Sequence, residues 1–210
     1  MTVLIETIRV HQGTAPLWPR HVERLETSCR ALGVPMPGGL DPPAGGLDRV
    51  VRLLVTQNGV ERSEREVGSL APVRLITAKA VHKPYPHKTV ARAQFEKAAA
   101  ESTRAKVDDA LLLTDEGWVA ESSIFSVFWW DGDRLCAPSL ALGILPGVAR
   151  ARLAELAGGI EERRIRPVHL VQTGLFLANA ARGVVEVSSW DGLEVPTQPL
   201  TRGLRERFWP

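Results

Sequence analysis

Apolar and polar residues alternate along some stretches of this chain and recur every three or four positions along others. Alternation over residues 3–10 and over 72–81 predicts two β-strands. Helical spacing predicts a helix that opens at Pro19 and ends at Gly33, because its apolar side chains then share one face. These side chains are Val22, Leu25, Cys29 and Leu32.

A second stripe with helical spacing follows a loop at residues 34–46 that is rich in proline and glycine. The apolar members of this stripe are Leu47, Val50, Val51, Leu54 and Val55. The spacing predicts a second amphipathic helix, and the turn residues Asn58 and Gly59 would end it.

The pattern of predicted elements differs in the second half of the chain, and the change occurs in HKPYPH at residues 82–87. Its two prolines predict a stiff linker, so we place a domain boundary there. Beyond it we expect a helix from just after Lys88 to about Arg104, several short strands, a helix in LPGVARARLAELAGG and a terminal helix at 198–208. Such an order predicts a two-domain α+β or mixed α/β protein. A small N-terminal α/β domain would span 1–81, and a larger mixed-sheet domain would span 88–210.

Composition excludes some classes of function. The chain has 210 residues, of which 44% are hydrophobic and 24% charged, and its net charge is +2. Mixed charges argue against a nucleic-acid partner, which would need a basic stripe. No apolar run approaches the roughly 20 residues of a membrane span, and the start MTVLIETIRV lacks a signal-peptide layout. We therefore expect a cytoplasmic protein without a membrane partner. The two cysteines are far apart and predict neither a disulfide framework nor a metal site.

Two ionisable residues of the second half are candidates for chemistry. Lys88 lies between the proline-rich linker and a predicted helix. Burial or a nearby positive charge would lower the pKa of its amine and make it a nucleophile; otherwise it is a surface lysine. Glu121 lies between the short strand WVA and the apolar run IFSVFWW. It is either a solvated turn residue or a buried carboxylate, which would need a cation or hydrogen-bond donors.

Three further segments could hold an anion. LPGVAR, at residues 145–150, places free N–H groups at a helix start, although Pro-Gly also begins helices that bind nothing. Arg24, in HVERL, is either a phosphate clamp or a surface arginine. NAARG, at residues 179–183, is either an ordinary tight turn or a second cradle for the same phosphate. A reactive amine, a buried acid and an anion-binding turn are together what pyridoxal phosphate requires.

The order and the amino-acid sequences of these segments resemble those of the fold-type IV pyridoxal-phosphate family. This family includes branched-chain and D-amino-acid aminotransferases and aminodeoxychorismate lyase. The matching segments cover nearly the whole chain, and they are LIETIR, HVERLETSCRALG, HKTVAR, DDALLLTDEGWVAESSIFSVFW, LPGVAR and FLANAARGVVEV. The resemblance implies a two-domain fold like that of D-amino-acid aminotransferase, pyridoxal 5′-phosphate as cofactor, an amino-acid-like substrate and a homodimer. The run IFSVFWW adds apolar surface that a second copy could cover.

The resemblance also implies roles for individual residues. Lys88 would bond to the cofactor, Glu121 would meet its pyridine nitrogen, and Arg24 would contact its phosphate. The other cofactor-binding residues that it implies are Leu145, Gly147, Val148, Ala149, Asn179 and Ala180. Two arginines on predicted strands of the small domain, Arg9 and Arg74, are candidate anchors for a substrate carboxylate.

Within the family the wording favours the lyase, which forms 4-aminobenzoate and pyruvate. HKTxxR and NAxxG resemble aminodeoxychorismate lyases, whereas branched-chain aminotransferases carry an Asn-Tyr pair where this chain has Arg92 and Ala93. Ala149 and Ala180 stand where aminotransferases often place threonines, and Ser126 replaces an asparagine.

Two other interpretations stay open. One is an aminotransferase that acts on D- or branched-chain amino acids with a 2-oxo acid acceptor. The other is a catalytically silent homologue that binds a ligand or a partner. Its only support is that the family's leading strand and glycine-rich stretch do not precede MTVLIE in this sequence.

Overall fold

The computed structural model describes residues 2–210, which form two β-sheets with flanking helices. The elements of the first part are β1 at Leu4–Val10, α1 at Trp18–Leu32, β2 at Arg49–Thr56 and β3 at Gly59–Arg65. The three strands form a small antiparallel sheet in the order β1-β2-β3. Leu25 and Cys29 are buried on α1, and Gly33 ends this helix in the left-handed conformation. The first predicted strand and the first predicted helix are therefore confirmed.

The second predicted helix is wrong, because residues 49–56 form strand β2 of a hairpin. Val51, Leu53 and Val55 alternate along β2 and are buried in the core of the small sheet. The adjacent apolar pairs of this stretch satisfy a period of two as well as a helical period, and β-branched valines favour strands. Gly59 begins β3 with φ at +137°, a conformation that glycine adopts readily.

The remaining strands form a second, nine-stranded sheet. They are β4 at Val73–Val81, β5 at Asp109–Leu113, β6 at Val119–Ser122, β7 at Ser126–Asp131, β8 at Arg134–Pro138, β9 at Glu161–Arg163, β10 at Phe176–Asn179, β11 at Gly183–Trp190 and β12 at Leu193–Glu194. Their order is β6-β5-β4-β11-β10-β7-β8-β9, with β12 paired to β11. Strand β4 is parallel to β5 and to β11, and β8 is parallel to β9, whereas the other pairs are antiparallel. The sheet is thus mixed, as predicted.

Four helices accompany the large sheet. They are α2 at Ala93–Ala105, α3 at Val148–Ala157, α4 at Pro167–Leu170 and α5 at Pro199–Arg207. Among residues 2–210, no helix has both the length and the apolar character that crossing a membrane requires.

The aromatic run IFSVFWW lies in the interior of the large domain. Phe128 and Trp129 on β7 are at most 1% exposed, whereas Ile124 before the strand is 45% exposed. The chain therefore covers nearly all of the apolar surface that we expected this run to offer to a second copy. That expectation is wrong because β7 lies between β10 and β8, with side chains packed on both faces of the strand.

Strand β4 belongs to the large sheet, although the predicted boundary placed residues 73–81 in the small domain. It lies between β5 and β11, so the sheets divide between Arg65 and Val73, before the segment at 82–87. Alternation identified the strand correctly. It could not identify the sheet, because that depends on partners as distant in sequence as Val187.

Residues 88–90 lie beside β1 of the small sheet. The N–H of Ile5 donates to the carbonyl of Lys88 at 2.8 Å, and the N–H of Val90 donates to the carbonyl of Val3 at 3.0 Å. These bonds hold the segment extended against β1. As a result, α2 begins at Ala93 and not directly after Lys88 as predicted.

Candidate active site

A cavity of about 260 Å³ lies between the two sheets. Its wall includes residues of β1, α1 and the β2–β3 hairpin on one side, and residues of the large sheet and of α3 on the other. All nine residues that we predicted to bind the cofactor line it. They are Arg24, Lys88, Glu121, Leu145, Gly147, Val148, Ala149, Asn179 and Ala180. Residues far apart in sequence are thus brought to one place.

Lys88 presents a buried amine to this cavity. Burial first, and then the charges of Arg24 and Arg92, lower the pKa of the amine from 10.5 to about 8. The carboxylates of Glu6 and Glu121 act in the opposite direction but do not compensate. A substantial fraction of the amine is therefore neutral near pH 8, and a neutral amine is the nucleophilic form.

Glu121 is also buried, with only 6% of its surface exposed, and it lies on β6 at the edge of the large sheet. Its Oε1 atom lies 3.0 Å from Nε2 of His82 and accepts a longer bond of 3.4 Å from the N–H of Leu145. The buried alternative that we considered for this carboxylate is therefore the one found. The histidine partner was missed, since it lies 39 positions away in the linker.

Arg24 is held by Glu6 of β1, a residue to which sequence reasoning assigned no role. Nε and Nη2 of Arg24 donate to the two carboxylate oxygens at 3.0 and 2.5 Å. Nδ1 of His21 lies 2.6 Å from the same carboxylate. Burial raises the pKa of Glu6, but Arg24 and His21 together outweigh it and lower the pKa to about 2. Glu6 is thus an ionised anchor that fixes the guanidinium of Arg24 at the cavity wall. A glutamate inside the apolar strand LIETIRV was the available signal.

The start of α3 offers N–H groups to the same cavity. Gly147 precedes the helix, and no side chain caps this end. The N–H groups of the first turn have no carbonyl of their own helix to bond, and the helix dipole makes this end attractive to anions. Val148 and Ala149 line the cavity, so the helix start and Arg24 together suit a phosphate group.

The turn after β10 differs in part from the predicted N–H cradle. Oδ1 of Asn179 accepts bonds from the N–H groups of Ala181 at 3.0 Å and Arg182 at 2.8 Å. Nδ2 of Asn179 donates to the carbonyl of Ile124 at 3.2 Å. Asn179 therefore orders the turn and occupies two of its N–H groups, while Ala180 and Arg182 line the cavity.

The two predicted carboxylate anchors do not line the cavity. Arg9 is buried and pairs with Asp48 at 2.5 Å, and it also donates to the carbonyl of Ala181. Arg74 is exposed and pairs with Asp108 at 3.0 Å. Both guanidinium groups are thus committed to carboxylates of the chain itself. The sequence pattern placed both residues on strands but could not show which acids lie beside them.

Four other arginines line the cavity, and we call them the arginine rim: Arg52, Arg65, Arg92 and Arg182. Within the described residues 2–210, none of the four has a carboxylate partner within ion-pair distance. Burial lowers the pKa of Arg182, and the charge of Arg65 lowers it further, which indicates that these two cations lie close together. The rim is therefore an electropositive entrance without a counterion from the chain.

A buried network stiffens the wall beside Glu121. Asp109 on β5 accepts bonds from the hydroxyl groups of Ser122 at 2.6 Å and Ser123 at 2.5 Å. Ser122 Oγ in turn accepts the N–H of Phe125 at 2.9 Å. The carbonyl of Ser123 accepts a bond from Arg92 at 2.6 Å. Residues 121–125 are thus fixed by side chains as well as by the sheet.

Comparisons with known proteins find relatives of this chain. A protein of Rickettsia felis, provisionally named branched-chain-amino-acid aminotransferase, is 23% identical over 239 aligned positions, which cover 94% of this chain and 80% of that protein. A Thermotoga maritima protein with the same provisional name is 34% identical over 110 positions. That alignment covers 49% of this chain, and this chain spans only 40% of the length of the Thermotoga protein.

Solved structures share the fold over almost the entire chain. One, from Legionella pneumophila, is provisionally named 4-amino-4-deoxychorismate lyase; it has a TM-score of 0.85 and 24% identity, and the match covers 96% of this chain and 88% of that one. Another is a branched-chain aminotransferase of Thermoproteus uzoniensis with norvaline, with a TM-score of 0.85, 21% identity and coverage of 99% and 84%. These likenesses confirm the predicted fold class.

The family is shown by the sequence itself. A protein-family model described as amino-transferase class IV matches residues 3–190 of this chain. This range includes the elements that line the cavity. With a match of this extent, the chain belongs to the class IV aminotransferase family.

Proposed function

We propose that this protein is a pyridoxal-phosphate-dependent lyase that converts 4-amino-4-deoxychorismate to 4-aminobenzoate and pyruvate. One observation supports it most strongly. A single cavity contains an amine with a lowered pKa, a buried carboxylate, an anion site and four arginines without a carboxylate partner in the described part of the chain. The amine, the carboxylate and the anion site suit the cofactor, and the arginines suit the substrate.

The residues of the cavity fit pyridoxal phosphate at three points. Lys88 supplies an amine for the aldehyde, and Glu121 supplies a carboxylate for the ring nitrogen. Arg24 and the N–H groups at the start of α3 supply donors for the phosphate. Two structures of the same fold, from Thermobaculum terrenum and Brucella abortus, are described as containing this cofactor. When bound, the cofactor supplies an aldehyde that bonds to amines and a ring that accepts an electron pair.

Lys88 would act as the base of the reaction. Its neutral form takes the proton from the carbon that carries the substrate amine. In the net lyase reaction the electrons of that C–H bond end in the substrate ring, which becomes aromatic as the C–O bond to the three-carbon group breaks. The proton on Lys88 then passes to this leaving group, which departs as pyruvate. Glu121 would keep a proton on the pyridine nitrogen of the cofactor, which makes the cofactor ring a better acceptor of electrons.

The arginine rim supports the lyase over an enzyme for aliphatic amino acids. Both products of the lyase reaction carry a carboxylate, so the substrate carries two. The rim offers four guanidinium groups without carboxylate partners among residues 2–210, and guanidinium groups bind carboxylates in a bidentate manner. A branched-chain amino acid has one carboxylate and an apolar side chain, and it would leave much of this charge unpaired. This assigns to the rim the role that we first expected of Arg9 and Arg74.

The second candidate is an aminotransferase, which the names of the Rickettsia felis and Thermoproteus uzoniensis proteins favour. Lys88 would then take the proton from the substrate Cα and give it back later in the same half-reaction. Such an enzyme needs a 2-oxo acid to complete its cycle, and the lyase does not. This requirement separates the two candidates.

The deciding experiment supplies purified holoenzyme with 4-amino-4-deoxychorismate and no 2-oxo acid. Equal amounts of 4-aminobenzoate and pyruvate, formed over many turnovers, support the lyase. Conversion of the cofactor to its amine form by D-alanine or a branched-chain amino acid, reversed by 2-oxoglutarate, supports the aminotransferase. If neither substrate class changes the absorption of the cofactor, the silent homologue gains support.

A further inference from the structure

We propose that His82 is a positioning residue that holds Glu121 in its working orientation. The inference rests on the proposed cofactor and concerns this chain's own carboxylate. His82 belongs to the segment HKPYPH, which sequence reasoning treated only as a stiff linker.

The histidine ring is fixed at both its backbone and its side chain. The N–H of His82 donates to the carbonyl of Leu113 on β5 at 2.8 Å. Its ring meets Phe95 edge to face, with centroids 6.3 Å apart and an angle of 67° between the planes. The side chain is only 1% exposed. The position of Nε2 is therefore determined by the large sheet and by α2.

The environment also determines which nitrogen carries the proton. Nε2 lies 3.0 Å from Oε1 of Glu121, whereas Nδ1 is buried and has no hydrogen-bond partner among residues 2–210. A proton on Nδ1 would be a buried donor without an acceptor, which is costly. The geometry therefore favours a proton on Nε2, which donates to Glu121.

The hydrogen bond leaves one carboxylate oxygen for the cavity. Oε1 of Glu121 accepts from His82 and from the N–H of Leu145, so both donors lie on the same oxygen. No side-chain hydrogen bond occupies Oε2 within the described part of the chain, and Glu121 lines the cavity. Without His82 the carboxylate would lose its shorter bond and could rotate about its side-chain torsions, which weakens its contact with a ring nitrogen.

The test measures binding instead of turnover. The apoprotein is titrated with pyridoxal phosphate and with an analogue that has C–H in place of the ring nitrogen. Wild-type protein should prefer pyridoxal phosphate. We expect His82→Leu to reduce this preference about 10- to 100-fold, the scale of a hydrogen bond to a charged group. His82→Gln places an amide N–H near the position of Nε2 and should retain most of the preference.

Two control variants make the outcome decisive. Exposed His169 changed to leucine should leave the preference at the wild-type value. Glu121→Gln should also reduce it. If Glu121→Gln leaves the preference intact, the proposed contact of Glu121 with the cofactor fails. If Glu121→Gln reduces it but His82→Leu does not, only the inference about His82 is overturned.

A second measurement covers the case in which His82→Leu does not fold. Nitrogen-15 NMR of the wild-type apoprotein should show a proton on Nε2 of His82. A proton on Nδ1 alone would contradict the inference whatever the behaviour of the variants.

Discussion

At Lys88, the same burial that makes the amine reactive makes it costly to the folded state. Its pKa falls from 10.5 to about 8, because an ammonium group in this position loses water and lies near Arg24 and Arg92. A shift of this size corresponds to about 3 kcal/mol of lost stability while the group remains charged.

We therefore expect Lys88→Met to stabilise the apoprotein at neutral pH by up to about 3 kcal/mol. The folded state releases the proton near pH 8 and the unfolded state near pH 10.5. The wild-type penalty is thus complete below pH 8 and fades as the pH rises through this window. Denaturant unfolding at several pH values measures the difference, with exposed Lys97→Met as the control. A difference that does not change with pH would show that Lys88 is not charged and buried.

Arg24 gives a second prediction at the residue scale. Arg24→Ala should weaken the binding of pyridoxal phosphate by roughly 1.5–3 kcal/mol, since a charged hydrogen bond to phosphate is lost. Pyridoxal without its phosphate should bind both proteins alike, and this comparison separates lost phosphate contact from disturbance of Glu6. Arg20→Ala, on the same helix but paired with Glu155, is the matched control. An unchanged affinity for pyridoxal phosphate would remove Arg24 from the phosphate site.

At the scale of elements, the β2–β3 hairpin brings charge to the cavity. Arg52 on β2 and Arg65 on β3 both line the cavity, whereas Arg62 on β3 pairs with Glu64 and does not line it. Successive residues of a strand point to opposite faces of the sheet. Arg62 and Arg65 are three positions apart on β3, so one faces the surface and the other faces the cavity. The hairpin can therefore set substrate preference without contributing to the cofactor site.

We expect Arg65→Gln and Arg52→Gln each to raise KM for the substrate roughly 10-fold, because each removes a charged partner of a substrate carboxylate. The affinity for pyridoxal phosphate should not change, since the cofactor donors lie on α1 and α3. Steady-state kinetics with 4-amino-4-deoxychorismate measures the effect, and Arg62→Gln provides the matched control. Equal KM values for the Arg65 and Arg62 variants would contradict the role of the rim.

At the scale of the whole molecule, the cavity lies where the two sheets meet, and backbone hydrogen bonds hold residues 88–90 against the start of β1. Beside this junction, Val90 and Ile124 are 41% and 45% exposed, and Ile124 also lines the cavity. Exposed apolar side chains close to a site are a suitable surface for a second copy of the chain.

We expect a homodimer, as the family resemblance implies. Light scattering at low micromolar concentration should give twice the chain mass of 23.0 kDa. Val90→Glu should shift the mass toward that of one chain, because it would bury an unpaired charge in the interface. A wild-type particle of 23.0 kDa would contradict the dimer.

The sequence by itself determined the features that depend on neighbouring residues. Alternation identified β1 and β4, and helical spacing with a terminal glycine identified α1. The sequence motifs identified nine residues that line one cavity, and they indicated the family. These predictions hold because strand and helix periods and motif order are local properties of the chain.

Only the tertiary structure decided the features that depend on distant partners. The stretch at 49–56 fits two periods, and its pairing with β1 and β3 made it a strand. Arg9 forms an ion pair with Asp48, whereas the four arginines of the rim have no carboxylate partner among the residues that the structure describes. His82 met Glu121 because the linker crosses the end of β5, the strand beside β6. A side chain's partner, burial and pKa follow from what packs around it, and local periodicity carries no information about contacts between segments that are distant in the chain.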